Sequence, residues 1–200
     1  MNIAIFVSGS GTNLQAIIDS VKKGEIKAKI ALVVSDNKDA YAIQRAKKAD
    51  IDRFILSSKG FKKREDYDKE IIKELEKKNI ELVVLAGFMR LLSSYFINKY
   101  KNKILNIHPA LLPAFKGTHG IKDAFDYGVK KTGVTVHFVD EELDHGPIIL
   151  QESVAIKEGD TLESLEEKIH KVEHKLYPEA IRLFVEGKLK KEGRKVKITN

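Results

Sequence analysis

The sequence predicts an α/β fold: a mostly parallel, twisted sheet with helices on both faces, an antiparallel edge hairpin and a long C-terminal helix. Three observations carry this. Short apolar runs alternate with helical periodicity through the first half of the chain, and that order implies a parallel sheet covered on both sides. The run "GVTVHFVD" alternates with period two and is followed by a turn and a second strand. A single helical pattern then extends from near Asp160 past Ala180.

In order, "NIAIFV" (Asn2 to Val7) reads as the first strand. Leu14, Ile17, Ile18 and Val21 fall at i, i+3, i+4 and i+7, one face of a helix. "KIALVV" (Lys29 to Val34) is a second strand, followed by a helix from Ala40 to Ala49, and "RFILS" (Arg53 to Ser57) is a third. A charged helix from Lys62 to Lys78, with Ile71, Ile72 and Leu75 on its face, leads into "ELVVLAG" (Glu81 to Gly87). A short helix from Ser94 to Tyr100 precedes "ILNIH" (Ile104 to His108). Gly133 to Asp140 and Ile148 to Ile156 form the edge hairpin, joined by a turn through Asp144 to Pro147. The long helix starts near Asp160 with Glu163 completing a capping box. Its apolar stripe is Leu162, Leu165, Ile169, Val172, Leu176, Ala180 and Phe184, and Pro178 is expected to kink it. Lys188 to Ile198 reads as a final basic hairpin.

Composition narrows the class. The chain has 200 residues, 42% of them hydrophobic, which suits one domain with a sizeable core. No apolar run approaches the ~20 residues that cross a bilayer, and the N-terminus lacks the basic region of a signal peptide. Cysteine is absent, which excludes disulfides and thiolate metal sites. A cytoplasmic protein with no membrane partner is expected. The formal net charge of +7 suits an anionic partner such as a phosphate ester. Lysines and glutamates are intermixed, as in "KKREDYDKEIIKELEKK", which reads as a solvated helix face rather than a nucleic-acid surface.

The loop "SGSGTNL" (Ser8 to Leu14) joins the first strand to the first helix. Gly9 and Gly11 let backbone approach a ligand closely. Amides at the helix start, with the helix dipole behind them, favour an anion. Thr12 and Asn13 can cap the helix or donate to a phosphate. Leu14 stands where a dinucleotide fingerprint needs its third glycine, and no Gly-Lys-Ser/Thr follows. A mononucleotide-like phosphate therefore fits better than NAD or ATP; the alternative is a tight turn before a well-capped helix.

Asn106 and His108 are two apart on a strand and so share a face, at the carboxyl end where parallel sheets bind ligands. An amide stabilises an oxyanion, and an imidazole moves protons near neutral pH. Pro109 fixes the chain's exit. The cluster "DEELDHGPII" (Asp140 to Ile149) offers carboxylates that could favour a protonated His108, but spacing does not say which one.

Taken together, "VSGSGTNLQAII", "LAGFMRLLS", "LNIHPALLPAFKG" and "HFVDEELDHGPIILQ" resemble the glycinamide ribonucleotide transformylase (phosphoribosylglycinamide formyltransferase) family of formyltetrahydrofolate-dependent transferases. The likeness runs from Asn2 to about Leu189. It implies a Rossmann-like formyltransferase fold in a single domain, residues 1–200. Residues 1–100 would form a phosphate- and nucleotide-binding half, and 101–200 a folate-binding and catalytic half. It implies a transferase of purine biosynthesis that passes a formyl group from the cosubstrate 10-formyltetrahydrofolate to the amine of glycinamide ribonucleotide (5′-phosphoribosylglycinamide), with no metal. Its partners would be small molecules rather than nucleic acid, and it would be a monomer or homodimer. The implied catalytic residues are Asn106, His108 and Asp144. Gly11, Thr12, Asn13 and Glu173 are implied to bind the nucleotide substrate. Arg64, Met89, Arg90, Leu91 and Leu92, with Asn106 and Asp144, are implied to bind the folate. The stretch from Pro113 to Lys131 corresponds to the family's mobile loop, with no role implied for Lys116 or His119.

The mechanism expected on this basis is direct attack of the amine on the formyl carbon, with Asn106 and protonated His108 stabilising the oxyanion. Formyl transfer to another amine, or hydrolysis of the formylfolate, is the near alternative. From a different class, His170-x-x-Glu173-His174 spells the inverted zincin signature of a metalloprotease.

Overall fold

The computed structural model describes residues 1–199. The fold is a mostly parallel, seven-stranded mixed sheet with covering helices, plus a small antiparallel hairpin. The chain forms two compact units, with the boundary between Leu105 and Asn106.

The first unit carries strands β1 (Asn2–Val7), β2 (Lys29–Ser35), β3 (Arg53–Ile55) and β4 (Leu82–Leu85), ordered β3-β2-β1-β4. It also holds α1 (Thr12–Lys22), α2 (Tyr41–Lys48), α3 (Arg64–Lys77) and α4 (Ser94–Lys99). The β1–β2, β1–β4 and β2–β3 pairs are all parallel. Parallel strands are buried on both faces, so β1 and β4 show continuous burial rather than alternation. Phe6, near the C-terminal end of β1, meets Phe88 and Phe96 edge-on, with ring centroids 5.2 and 5.8 Å away.

Strand β5 (Ile104–His108) enters beside β4, where Val83 N donates to Lys103 O (2.9 Å), and its last three residues belong to the second unit. There the order continues through β6 (Lys131–Phe138) to β7 (Ile148–Ala155), which pair antiparallel. Helix α6 (Leu162–Val185) packs on both. The basic hairpin expected at the C-terminus is present as β8 (Leu189–Glu192) and β9 (Lys195–Ile198).

Several expectations need correction. β3 stops at Ile55, because only Val33 to Ser35 offer it a partner. The charged helix begins at Arg64, with Glu65 and Asp66 in its first turn, where the dipole favours acids. The capping box of α6 closes through Ser164, not Glu163: Thr161 Oγ1 accepts the Ser164 amide (3.2 Å) while Ser164 Oγ accepts the Thr161 amide (3.0 Å). The apolar stripe of α6 also differs from the one expected. Its buried line is Leu165, Ile169, Glu173, Tyr177 and Ile181 at i, i+4 spacing, while Leu162, Val172, Leu176 and Phe184 are half-buried. The stretch expected as a mobile loop contains helix α5 (Gly120–Tyr127), whose buried residues, Gly120 and Ala124, leave no apolar stripe to recognise.

The alternation of β6 also has an unexpected cause. Thr135 and His137 form its polar face, yet both are buried. Thr135 Oγ1 donates to Ala110 O (2.7 Å) and accepts from Leu112 N (3.1 Å) and Gln151 Nε2 (2.9 Å). The polar face of β6 thus holds the chain leaving β5 in place instead of meeting water.

Candidate active site

The end of β5 gathers four side chains of the second unit. Asn106 is half-buried, and His108, His137 and Asp144 are buried. Asn106 Nδ2 lies 3.1 Å from His137 Nε2 and 3.5 Å from Asp144 Oδ1. His108 Nδ1 lies 3.4 Å from Asp144 Oδ2, and His108 Nε2 lies 2.7 Å from the carbonyl of Phe115. His137 Nδ1 lies 2.8 Å from Phe138 O, and its Nε2 lies 3.8 Å from Asp144 Oδ1. Of the acids in the turn after β6, Asp144 is the one that meets the histidine. Asp144 adopts φ +47, and its Oδ2 accepts the amide of Gly117 (2.9 Å). Gly120 packs on the ring: a Cβ there would stand 3.2 Å from His108 Nε2.

The electrostatics follow from burial and these contacts. Burial pushes His108 below the usual histidine value; Asp144 and the Phe115 carbonyl pull the other way without overcoming it. The lowering favours a neutral ring in the free protein. Nε2–H donates to Phe115, and Nδ1 faces the carboxylate. Burial alone would raise Asp144, but His137, the Gly117 amide and the His108 ring outweigh it and hold it below the usual carboxylate range. The group is a neutral base beside a fixed negative charge, with an amide donor next to both. Protonation at Nδ1 would turn the 3.4 Å contact into a charge-assisted hydrogen bond.

Glu173 is buried on α6, and His170 Nδ1 donates to its Oε2 (2.8 Å). That bond raises His170 above its usual value against the opposing effect of burial. The charge of Glu173 also acts on His108. The rings of His170 and His174 stack with centroids 6.2 Å apart. Among the described residues no group of three or more histidine, aspartate or glutamate side chains is arranged to hold a metal ion.

In the first unit, Gly11 forms the N-cap of α1 with φ +71. A Cβ at this position would lie 2.6 Å from the Ala42 Cβ, so both conformation and space demand glycine. Neither Thr12 nor Asn13 caps α1, contrary to one of the sequence readings: the N-cap is Gly11 and makes no side-chain cap bond. The loop is braced from behind. Ala42 N donates to Gly9 O (3.1 Å), Arg45 Nε to Ser10 O (2.9 Å), and Ser8 Oγ to Asp36 (2.6 Å).

Ser8 Oγ also accepts the amide of Met89 (2.9 Å), which links this loop to the segment after β4. In that segment Met89 and Leu91 are exposed, Arg90 is half-buried and Leu92 is buried. The Arg90 guanidinium lies 4.8 Å above the Tyr67 ring and donates to Ser58 Oγ (2.7 Å). Arg64 and Arg90 both act on the buried Asp68, whose carboxyl is raised by burial and which accepts the Ser93 amide (2.6 Å). The charges of Arg64 and Arg90 thus act on one buried acid. His137, Phe115 and Gly117 were not singled out from the sequence. A histidine in the polar phase of β6 was the one available signal for them.

The chain is similar to known proteins over most of its length. The formyl transferase family profile matches residues 1–181. The chain is 43% identical over 190 residues to phosphoribosylglycinamide formyltransferase of Escherichia coli, covering 95% of this chain and 90% of that protein. It is 46% identical over 187 residues to the trifunctional purine biosynthetic protein adenosine-3 of Chironomus tentans, covering 92% of this chain but spanning only 14% of that protein. The crystal structure of glycinamide ribonucleotide transformylase 1 from Symbiobacterium toebii superposes with a TM-score of 0.97 at 46% identity, covering all of this chain and 94% of the other. The chain belongs to the formyl transferase family.

Proposed function

We propose that the protein transfers the formyl group of 10-formyltetrahydrofolate to the amine of 5′-phosphoribosylglycinamide, a step of purine biosynthesis. The observation that carries this reading is the meeting of Asn106, His108 and Asp144 at the end of β5, in a chain so similar to proteins that bear that activity's name. The Gly11–Asn13 loop takes the substrate phosphate at the start of α1, and Glu173 holds the nucleotide. Met89–Leu92, with Arg64, Asn106 and Asp144, receive the folate.

The substrate amine attacks the formyl carbon directly. Asn106 Nδ2 donates to the oxygen that becomes negative. His108, neutral in the free protein, takes a proton from the attacking nitrogen, and the imidazolium so formed is held by Asp144. The proton then passes to N10 as the folate leaves. Holding two substrates together supplies much of the remaining acceleration.

The test is an absorbance assay for the folate product with phosphoribosylglycinamide, run beside an analogue lacking the phosphate. Turnover is expected with the former and a sharply raised KM with the latter. No turnover with the phosphorylated acceptor overturns the substrate; equal rates for both overturn the role of the loop.

A further inference from the structure

The turn that carries Asp144 is clamped from outside by an arginine of the C-terminal hairpin. Gly193 turns this hairpin with φ +61, which puts Arg194 at its tip. The guanidinium then makes a two-point contact: Nη2 donates to the backbone carbonyl of His145 (2.6 Å) and Nη1 to His145 Nε2 (2.9 Å). The other nitrogen of the same ring, Nδ1, donates to Asp140 Oδ2 (2.8 Å), and Asp140 Oδ1 accepts the amide of Glu142 (3.1 Å). A continuous chain of donors thus runs Arg194 to His145 to Asp140 and pins both ends of the turn.

Asp144 lies inside that clamp. It sits at φ +47, a conformation that costs a non-glycine residue energy unless its surroundings enforce it. On its C-terminal side the chain lies against β6: Phe138 N donates to Pro147 O (2.9 Å), and a Cβ at Gly146 would fall 1.8 Å from Phe138 O. Arg194 holds the carbonyl of His145, which lies between the two. The family profile ends at residue 181, and β8 and β9 lie beyond it.

We propose that Arg194 is a positioning residue: through His145 it fixes the backbone that aims the Asp144 carboxylate at His108. The inference rests on the role given to Asp144 above. Arg194 is exposed, so each contact competes with water and a moderate effect is expected. Misplacing a reacting group by ~1 Å costs about 10²-fold in rate, and partial loosening of the turn should cost about tenfold.

The experiment measures kcat and both KM values for Arg194→Ala, Arg194→Lys, His145→Ala and the Arg194→Ala/His145→Ala double variant, with His108→Ala as reference. Arg194→Ala should lose about tenfold in kcat with its KM for phosphoribosylglycinamide unchanged, and amide exchange at Gly117, which Asp144 holds, should quicken. Arg194→Lys, which keeps the charge but offers no fork, should fall between. The double variant should lose no more than the worse single, because the two residues act as one device. Wild-type kcat in a folded Arg194→Ala, or losses that simply multiply in the double variant, would overturn the proposal. Should Arg194→Ala fail to fold, wild-type kcat in Arg194→Lys would do so alone. Full activity in His108→Ala would instead overturn the catalytic reading and leave the clamp without a purpose.

Discussion

On the proposed mechanism, single side chains at the end of β5 set the chemistry. His108→Ala removes the base proposed to take the amine's proton and should cost ~10²–10⁴ in turnover while phosphoribosylglycinamide still binds. Asn106→Ala removes the proposed donor to the oxyanion and should cost ~10²–10³. Single-turnover rates beside equilibrium binding separate chemistry from affinity, and near-normal turnover in His108→Ala would refute the assignment. The acid limb of kcat/KM offers a second check. Burial lowers His108 from 6.5, so activity should fall with a midpoint below 6.5 as the ring becomes charged before substrate binds. Asp144 opposes that lowering. Asp144→Asn should therefore move the midpoint to still lower pH, besides slowing the reaction. A midpoint that stays put, or rises, would show that some other group titrates.

At the scale of elements, the turn from β1 to α1 depends on one glycine. Gly11→Ala places a methyl into Ala42 and asks alanine for a left-handed conformation that costs ~1–2 kcal/mol. The loop can relieve this only by moving away from α2. Its KM for phosphoribosylglycinamide should rise about tenfold or more, ~1.4 kcal/mol per factor of ten, with the KM for the folate unaffected. Equal rises in both would mean a general loss of structure.

Elements built on strong periodicity could be read from sequence. The order from β1 to β5, the β6–β7 pair and α6 all follow from runs of Val, Ile and Leu. β5 was placed to the residue because Pro109 ends it. α5 escaped because it buries only small residues, and the phase of α6 was misjudged because Glu173 and Tyr177 occupy its buried line. Asn106 and His108 declared themselves by interrupting a hydrophobic strand. His137 did not, since a histidine in an alternating strand looks like its wet face. The choice of Asp144 among its neighbours came from resemblance, and geometry supplies the reason that spacing could not: its carboxylate reaches His108 and the Gly117 amide.

For the whole molecule, buried ionisable groups set the dependence of stability on pH, and they do not all act in one direction. His108 and Asp144 are both lowered. The stability they contribute is present above 6.5 and 3.8 respectively, and is lost as pH falls through each lowered value. Asp68 is raised above 3.8, so its contribution is present below 3.8 and lost as pH rises through the raised value. Asp68→Asn keeps an acceptor for the Ser93 amide and removes the buried charge. Its Tm should match or exceed that of the parent at pH 7, with the advantage shrinking towards pH 4. A lower Tm at pH 7 would show that the attraction of Arg64 and Arg90 outweighs desolvation.

The end of the sheet carries one more consequence. β7 is its last strand, and Gln151, Glu152 and Ser153 along it are exposed. A bare margin of this sort invites strands from other molecules to add on and grow into insoluble aggregates. Here Glu152 puts a negative charge on that margin, and the lysine-rich β9 lies against β7. The last residues of the chain therefore help keep each copy from zipping onto the next.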